Sequence, residues 1–316
     1  MLVALAGGIG ASKFLRGLTR VWDPKDILIV VNTGDDLRMH GLHVSPDIDS
    51  VVYRLAGVGD DDRGWGRGEE TWNVLRTLTS LGEPGWYGLG DRDIAGQLLR
   101  TRLIRDEGWT LTQATSELCK RLGVQANVVP MSNNIVETRV EVAGHDGPEE
   151  LSFQEYWVAR RAADPVLAVR FRGIENALPA PGILESIGSA CGIVFCPSNP
   201  IVSISPILSV GGVRKAIEAA PCPKLAVTPI IAGAPVRGMA DKLMPVWGIE
   251  VSALGVARMY ARLIDYFVLD GVDAAQKDDV RALGLEPVLT STLMSTREAE
   301  ISLARTVVSK LSSKMP

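Results

Sequence analysis

A chain of 316 residues that is 46% hydrophobic can bury a large core, which excludes intrinsic disorder and fits one large domain or a domain carrying a sizeable insertion. Its 33 basic and 37 acidic residues give a formal charge of −4, so it has neither the broad basic field of a nonspecific nucleic-acid binder nor a polybasic membrane-surface run. The four cysteines, at 119, 191, 196 and 222, show no CxxC pair and no zinc-ribbon spacing, and reduced thiols in a cytoplasmic protein are expected.

Leu2 to Ala6 reads as a short buried strand. The apolar run meets Gly7 and Gly8 at once, too early for a signal segment or a bilayer span. GGIGASK then leads into a helix whose apolar face carries Phe14, Leu15 and Leu18. Strand, glycine loop and helix in that order suit a phosphate, because glycines let backbone approach it and the helix N-terminus offers free N–H groups, with Lys13 as counter-ion. The loop is neither GxxxxGK[ST] nor GxGxxG, since Lys13 takes the last glycine position, so a plain tight turn stands beside the phosphate reading. Ile27 to Val31 is a second strand and completes a right-handed βαβ unit.

The carboxyl end of that strand releases VVNTGDDLRMHGLHVSPDID, residues 30 to 49, with Asp35, Asp36, Asp47 and Asp49 close together. Like charges held together repel unless a cation, a proton or a substrate lies between them. Two readings fit: a metal-assisted site and a solvated acidic loop. His40 and His43, three apart with Gly41 between them and no cysteine nearby, read as structural or supporting rather than as metal ligands. Ser50 to Leu55 starts a helix beneath Asp49, and the turn-rich GVGDDDRGWGRGEETW follows, where Trp65 and Trp72 either stack on a planar ligand or anchor the loop.

In GLGDRDIAGQLLRTRLIRDEG, residues 88 to 108, Asp91 reads as an N-cap and Ile94, Leu98 and Leu99 as an apolar stripe, with Arg92, Arg100, Arg102 and Arg105 on a solvated face. Leu111 to Leu122 is a helix ended by Gly123. From Ala126 to Phe171 short β-branched groups broken by PMSNN and GHDGPEE, with His145 exposed in the latter, read as an inserted mixed region at about residues 125–175. The α/β alternation returns with a helix at Ile183 to Ile187, a strand at Gly192 to Cys196, a helix at Gly212 to Ala219 and a strand at Lys224 to Thr228. Val251 onward is helical before the strand FVLD, and Glu298 to Leu311 is an amphipathic closing helix. The fold class is α/β, a Rossmann-like doubly wound, mostly parallel sheet with that insertion, in one domain spanning 1–316. Strand ends after Ala6, Val31, Cys196 and Val227 carry the unusual residues, as a crevice at the switch point of such a sheet requires.

With these blocks in order, the chain resembles the CofD (FbiA) family, the 2-phospho-L-lactate transferases of deazaflavin coenzyme F420 biosynthesis. GGIGASKFLRGL, NTGDDLRMHG, SPDIDSVVY, GLGDRD, PMSNN, CPSNPIVSISPIL and TPIIAGAPVRGMADKLM look like the family's blocks and cover nearly the whole length. The resemblance implies attack by the ribityl hydroxyl of the deazaflavin Fo on a guanosine diphospho donor carrying lactate, phosphoenolpyruvate or glycerate, with release of GMP. It implies Mg²⁺ as cofactor, a partner guanylyltransferase that supplies the donor, and no nucleic-acid or membrane partner; a homodimer is the default expectation. By resemblance, Asp35 and Asp49 sit at the metal and the reactive hydroxyl, with Asp36 and Asp47 nearby. Asp49, Gly88, Asp91, Arg92, Met131 and Ser132 face Fo. Gly7, Gly8, Gly10, Lys13, Ser198, Asn199, Pro200, Thr228 and Gly233 hold the nucleotide and donor. The rival readings are an NAD(P)-dependent Rossmann oxidoreductase, with Asp35 on a ribose and Lys13 counting against it, and a nonenzymatic nucleotide-sensing regulator that needs the crevice but not the carboxylates.

Overall fold

A computed structural model describes residues 1–145 and 147–314. Asp146, within the GHDGPEE turn, lies outside the described residues. The core strands are β1 (Leu2–Ala6) and β2 (Ile27–Val31), joined by α1 (Gly8–Leu18). A hairpin of β3 (Leu37–Met39) and β4 (Leu42–Val44) leads to α2 (Pro46–Leu55), α3 (Asn73–Ser80), α4 (Asp91–Arg105), α5 (Leu111–Arg121) and β5 (Asn127–Pro130). The antiparallel strands β6 (Glu137–Gly144), β7 (Gly147–Ser152) and β8 (Val166–Arg172) precede α6 (Ile183–Gly188) and β9 (Gly192–Phe195). After β9 come a π-helix at Pro200–Ile204, α7 (Ser205–Ser209), α8 (Val213–Ala219) and β10 (Lys224–Val227). A small hairpin, β11 (Ile230–Ile231) with β12 (Ala234–Pro235), is followed by α9 (Ala240–Leu243), α10 (Ala253–Tyr260), β13 (Tyr266–Asp270), α11 (Lys277–Ala282), β14 (Glu286–Thr290) and α12 (Arg297–Ser312).

Seven strands form one parallel sheet in the order β14-β13-β10-β9-β1-β2-β5. Chain order runs outward from β1 to β2 and β5, then jumps to β9 and outward the other way, so the switch point lies between β1 and β9. Both faces of the sheet are covered, which is why its strands read as unbroken apolar runs such as ILIVV. The pleat divides each run between two cores. Leu2, Ala4 and Ala6 point to the layer of α1, α2, α5 and α12, and Val3 and Leu5 to the layer of the insertion, α6 to α8 and α10. Each fully buried Leu, Ile, Val or Phe in these layers contributes about 1.5–3 kcal/mol of transfer free energy.

Several boundaries differ from the sequence reading. β5, placed within the insertion from sequence, is an edge strand of the main sheet beside β2, and the antiparallel unit spans β6 to β8. α2 starts at Pro46 rather than Ser50, because proline's fixed φ suits a first helical position, and this brings Asp47 and Asp49 into the first turn. The N-cap of α4 is Gly90; Asp91 is the first helical residue, and its carboxylate accepts from the Asn73 and Val74 backbone N–H groups, capping α3 instead. β14 carries Pro287 at the sheet edge, where a missing N–H costs no ladder bond, and it has no clear strand pattern in sequence.

Candidate functional site

A cavity of about 640 Å³ opens over the carboxyl ends of β1, β2, β9 and β10. The glycine loop forms its floor at the switch point, where the loop after β1 meets the loop after β9. A methyl group at Gly10 would stand 2.2 Å from the Pro197 carbonyl oxygen, so this helix start can approach that loop only without a side chain. The Gly7 N–H donates to Ser198 Oγ at 3.3 Å, which ties the two loops together. Asn199 Oδ1 accepts from the Ile201 and Val202 N–H groups and caps the following π-helix.

The four carboxylates separate by role. Asp35 is buried, and its Oδ1 has no hydrogen-bond partner among the described residues. Burial, with the charge of Asp47 beside it, pushes its carboxyl well above the usual carboxylate range. Asp47 is likewise buried and pushed up to about 7 by desolvation, even though Asn32 Nδ2 donates to its Oδ2 at 2.9 Å. These two groups form an acid pair with no cation beside it among the described residues, and Asp47 lies directly against the glycine loop, where a Cβ at Gly7 would stand 2.6 Å from its Oδ2. Asp36 turns away: its Oδ2 lies 2.9 Å from His43 Nε2 and accepts from Ser45 Oγ at 2.7 Å. His43 is therefore a support. His40 sits in the two-residue turn of the β3–β4 hairpin with φ +50°, so the two histidines lie on a hairpin and not on a helix.

Asp49 also lines the cavity, but both its oxygens are engaged from behind. Arg100 reaches each of them, with Nη1 3.2 Å from Oδ2, and Gln97 Nε2 donates to Oδ2 at 2.7 Å. Both residues of the expected ligand pair, Asp35 and Asp49, line the cavity; Asp35 has Asp47 beside it, and Asp49 has a guanidinium partner. Arg100 is 1% exposed, contrary to the solvated arginine face read for α4, while Leu98 is 54% exposed. Burial opposes its charge, and Asp49 outweighs that cost and holds the guanidinium firmly protonated. The buried stripe of α4 is thus polar: Asp93, Gln97 and Arg100, one helical turn apart. Asp93 Oδ1 accepts from Tyr53 Oη at 2.8 Å and Gln97 Nε2 at 2.9 Å, and desolvation together with Asp49 pushes its carboxyl up to about 7.

Of the residues expected at the site, Gly7, Gly8, Gly10, Lys13, Asp35, Asp49, Gly88, Ser198, Asn199 and Thr228 line the cavity. The others have structural places. Met131 is fully buried in the core, and Ser132 Oγ donates to the Leu178 carbonyl at 2.6 Å. Arg92 pairs with Glu69 at 3.0 Å on the surface, Pro200 opens the π-helix, and Gly233 forms the turn of the β11–β12 hairpin with Ala232. Trp65 meets Trp72 edge-on, with ring centroids 6.2 Å apart and the Arg63 guanidinium over both, so Trp72 anchors the loop while Trp65 also reaches the cavity. Sequence reasoning missed Asp93, Trp157 and Arg237 as lining residues. The first lies in GLGDRD and the last in the long block after Thr228, so the blocks marked the neighbourhood without singling out either side chain.

Among the described residues no group of three or more His, Cys, Asp or Glu side chains could hold a metal ion. A magnesium site of another kind fits the observation at Asp35 and Asp47, since Mg²⁺ commonly takes one or two carboxylates and completes its shell with phosphate and water oxygens. The unsatisfied Asp35 Oδ1 and the mutual repulsion of the pair are what such a cation relieves. No helix among the described residues is long and apolar enough to cross a membrane.

Fold and cavity define an α/β protein with a cavity at the switch point of a parallel sheet, where a glycine loop meets buried carboxylates. The profile of the 2-phospho-L-lactate transferase CofD family matches residues 2–306, and the chain belongs to that family of transferases. It is 44% identical over 310 residues to a phosphoenolpyruvate transferase of Kitasatospora aureofaciens, covering 97% of this chain and 96% of that one. It is 37% identical over 316 residues to the phosphoenolpyruvate transferase of Mycolicibacterium smegmatis, covering 96% of each. Among solved structures, a UPF0052-family protein from Bacillus halodurans superposes with a TM-score of 0.66 at 18% identity, over 97% of this chain and 99% of the other, and shares the fold.

Proposed function

We propose that this transferase moves a phosphoenolpyruvyl group from a guanosine diphospho donor to the terminal ribityl hydroxyl of the deazaflavin Fo. The hydroxyl oxygen bonds to the phosphorus that carries the enolpyruvyl group, the bond from that phosphorus to the GMP oxygen breaks, and the product is a phosphodiester of F420-0 type. The names of the relatives support the choice of acid. The observation that carries the reading is the cavity itself, which brings the buried acids Asp35 and Asp47, neither of them in an ion pair among the described residues, together with the glycine loop and Ser198 at the switch point. Transfer of this kind is mostly positioning and neutralisation of charge.

The residues divide that work. Backbone N–H groups at the start of α1 receive the diphosphate, and Gly10 keeps that helix start pressed on the β9 loop. Asp49, held by Arg100 and Gln97, presents a fixed negative edge to the acceptor hydroxyl. Asp35 and Asp47 would hold the magnesium ion, which supplies neutralisation of the transferred phosphate when bound. The test is a reaction of the purified chain with Fo, Mg²⁺ and GTP, with a guanylyltransferase making the donor in place from phosphoenolpyruvate, 2-phospho-L-lactate or 3-phosphoglycerate. Mass spectrometry is expected to show the condensed product with phosphoenolpyruvate in preference to the other two. Absence of a condensed deazaflavin with any of the three acids would overturn the reading.

A further inference from the structure

A cationic cluster that the proposed chemistry has not used reaches the cavity through Lys13 and Arg237. Arg16, Arg54 and Arg297 share Asp61, and Arg16 also pairs with the buried Glu300 at 2.7 Å. Lys13 and Arg237 add their charges to this cluster and feel it, as Lys13 is held below its usual range by desolvation and by Arg54, Arg16 and Arg237. Five cations therefore surround two carboxylates. Neither Lys13 nor Arg237 has an ion pair among the described residues; Lys13 Nζ donates to the Met294 carbonyl at 3.1 Å. Both line the cavity. Arg237 reaches there from the segment after β12 and crosses to the opposite wall, where a Cβ at Gly64 would stand 2.0 Å from its Nη1. The wall at that point is built without a side chain, at φ +82°, and the Gly64 carbonyl accepts from Arg54 at 3.1 Å.

We infer that Lys13 and Arg237 form an oxyanion subsite for the negatively charged part of the donor, with Arg237 the residue that reads it. Surplus positive charge facing a cavity calls for an anion, and a planar guanidinium matches a carboxylate or a phosphate with two parallel hydrogen bonds. The inference rests on the guanosine-donor reading above and deepens it. Two parts of such a donor have the chemistry, the carboxylate of its acid and its phosphates, and the experiment separates them.

The probes are guanosine diphospholactate, its neutral carboxamide and GDP, with dissociation constants measured by calorimetry on the wild-type chain and on Arg237→Gln and Arg237→Lys. A charge-assisted pair of this kind is worth roughly tenfold to hundredfold in affinity. If the carboxylate is read, Arg237→Gln weakens guanosine diphospholactate by about that factor and leaves the carboxamide and GDP unchanged. If the phosphates are read, all three weaken together. In both cases Arg237→Lys recovers only part of the loss, because an ammonium cannot supply the fork, and circular dichroism of the variants matches wild type. Unchanged constants for all three probes in Arg237→Gln would overturn the subsite. Failure of the wild-type chain to bind any of the three would instead overturn the guanosine-donor reading, and the subsite with it.

Discussion

Replacing Asp47 with Asn makes the sharpest separation between stability and activity that this structure offers. Asp47 is buried, and its carboxyl is displaced from 3.8 to about 7, chiefly by desolvation. A folded-state value above the unfolded one means that the folded chain binds the extra proton. The stability this gives is complete below about pH 4, falls as the pH rises through the window from about 4 to 7, and is gone above it. At 1.36 kcal/mol for each pH unit, the displacement corresponds to at most about 4 kcal/mol at pH 8. Asp47 lines a cavity that water enters, so about 1–3 kcal/mol is the working figure. Asn is close in size, keeps an oxygen for the Asn32 amide and carries no charge. Asp47→Asn without magnesium is therefore expected to be more stable than wild type at pH 8, by about 1.5 °C in melting temperature for each kcal/mol, with the gain shrinking toward pH 4.5. Added Mg²⁺ is expected to stabilise wild type and leave the variant unmoved. Transfer to Fo should fall by about a hundredfold or more, since neutralising the phosphate in the transition state is worth several kcal/mol. Scanning calorimetry from pH 4.5 to 8.5 and a product assay on the same protein read both effects. A variant less stable than wild type at pH 8 in the absence of magnesium would refute the electrostatic argument, and full turnover would refute the metal assignment.

Three further outcomes follow from the geometry. Arg100→Met leaves Asp49 buried without its counter-ion and should lower stability by about 3–5 kcal/mol at pH 7 in urea unfolding. Gly10→Ala drives a methyl onto the Pro197 carbonyl and should separate the two loops; donor affinity is expected to drop at least tenfold while affinity for Fo changes little, as competition binding would show. On the proposed metal reading, magnesium must displace the proton that Asp47, with its carboxyl pushed up to about 7, holds in part at neutral pH, so its apparent affinity should rise from pH 6 to 8. Titrations in buffers of different ionisation enthalpy should show proton release that fades at the upper end, and pH-independent binding would place the ion elsewhere.

Much of the fold was legible because local rules and the global structure agree. The apolar runs 2–6, 27–31, 192–195 and 224–227 are strands, and the polar residues that follow them meet at one crevice, since a doubly wound sheet brings its strand ends together wherever the order reverses. Strands with weaker patterns were not assigned correctly. β5 is too short to show whether it joins the main sheet or the insertion, and the half-exposed β14 has a proline and no alternation.

The sequence by itself determined the alternation of α and β elements, the acidic stretch from Val30 to Asp49 and the glycine loop, because each is a local pattern of residue types. Only the tertiary structure decided how those acids divide. Arg100 lies fifty-one residues from Asp49, on a helix whose charged residues read as a solvated face, and its burial inverts that reading. Arg100 neutralises Asp49, and His43 with Ser45 engages one oxygen of Asp36, whereas no cation pairs with Asp35 or Asp47 among the described residues. Periodicity reports which side of a helix is apolar, but the partner of a buried charge is set by what packs against it, and that is a property of the folded chain alone.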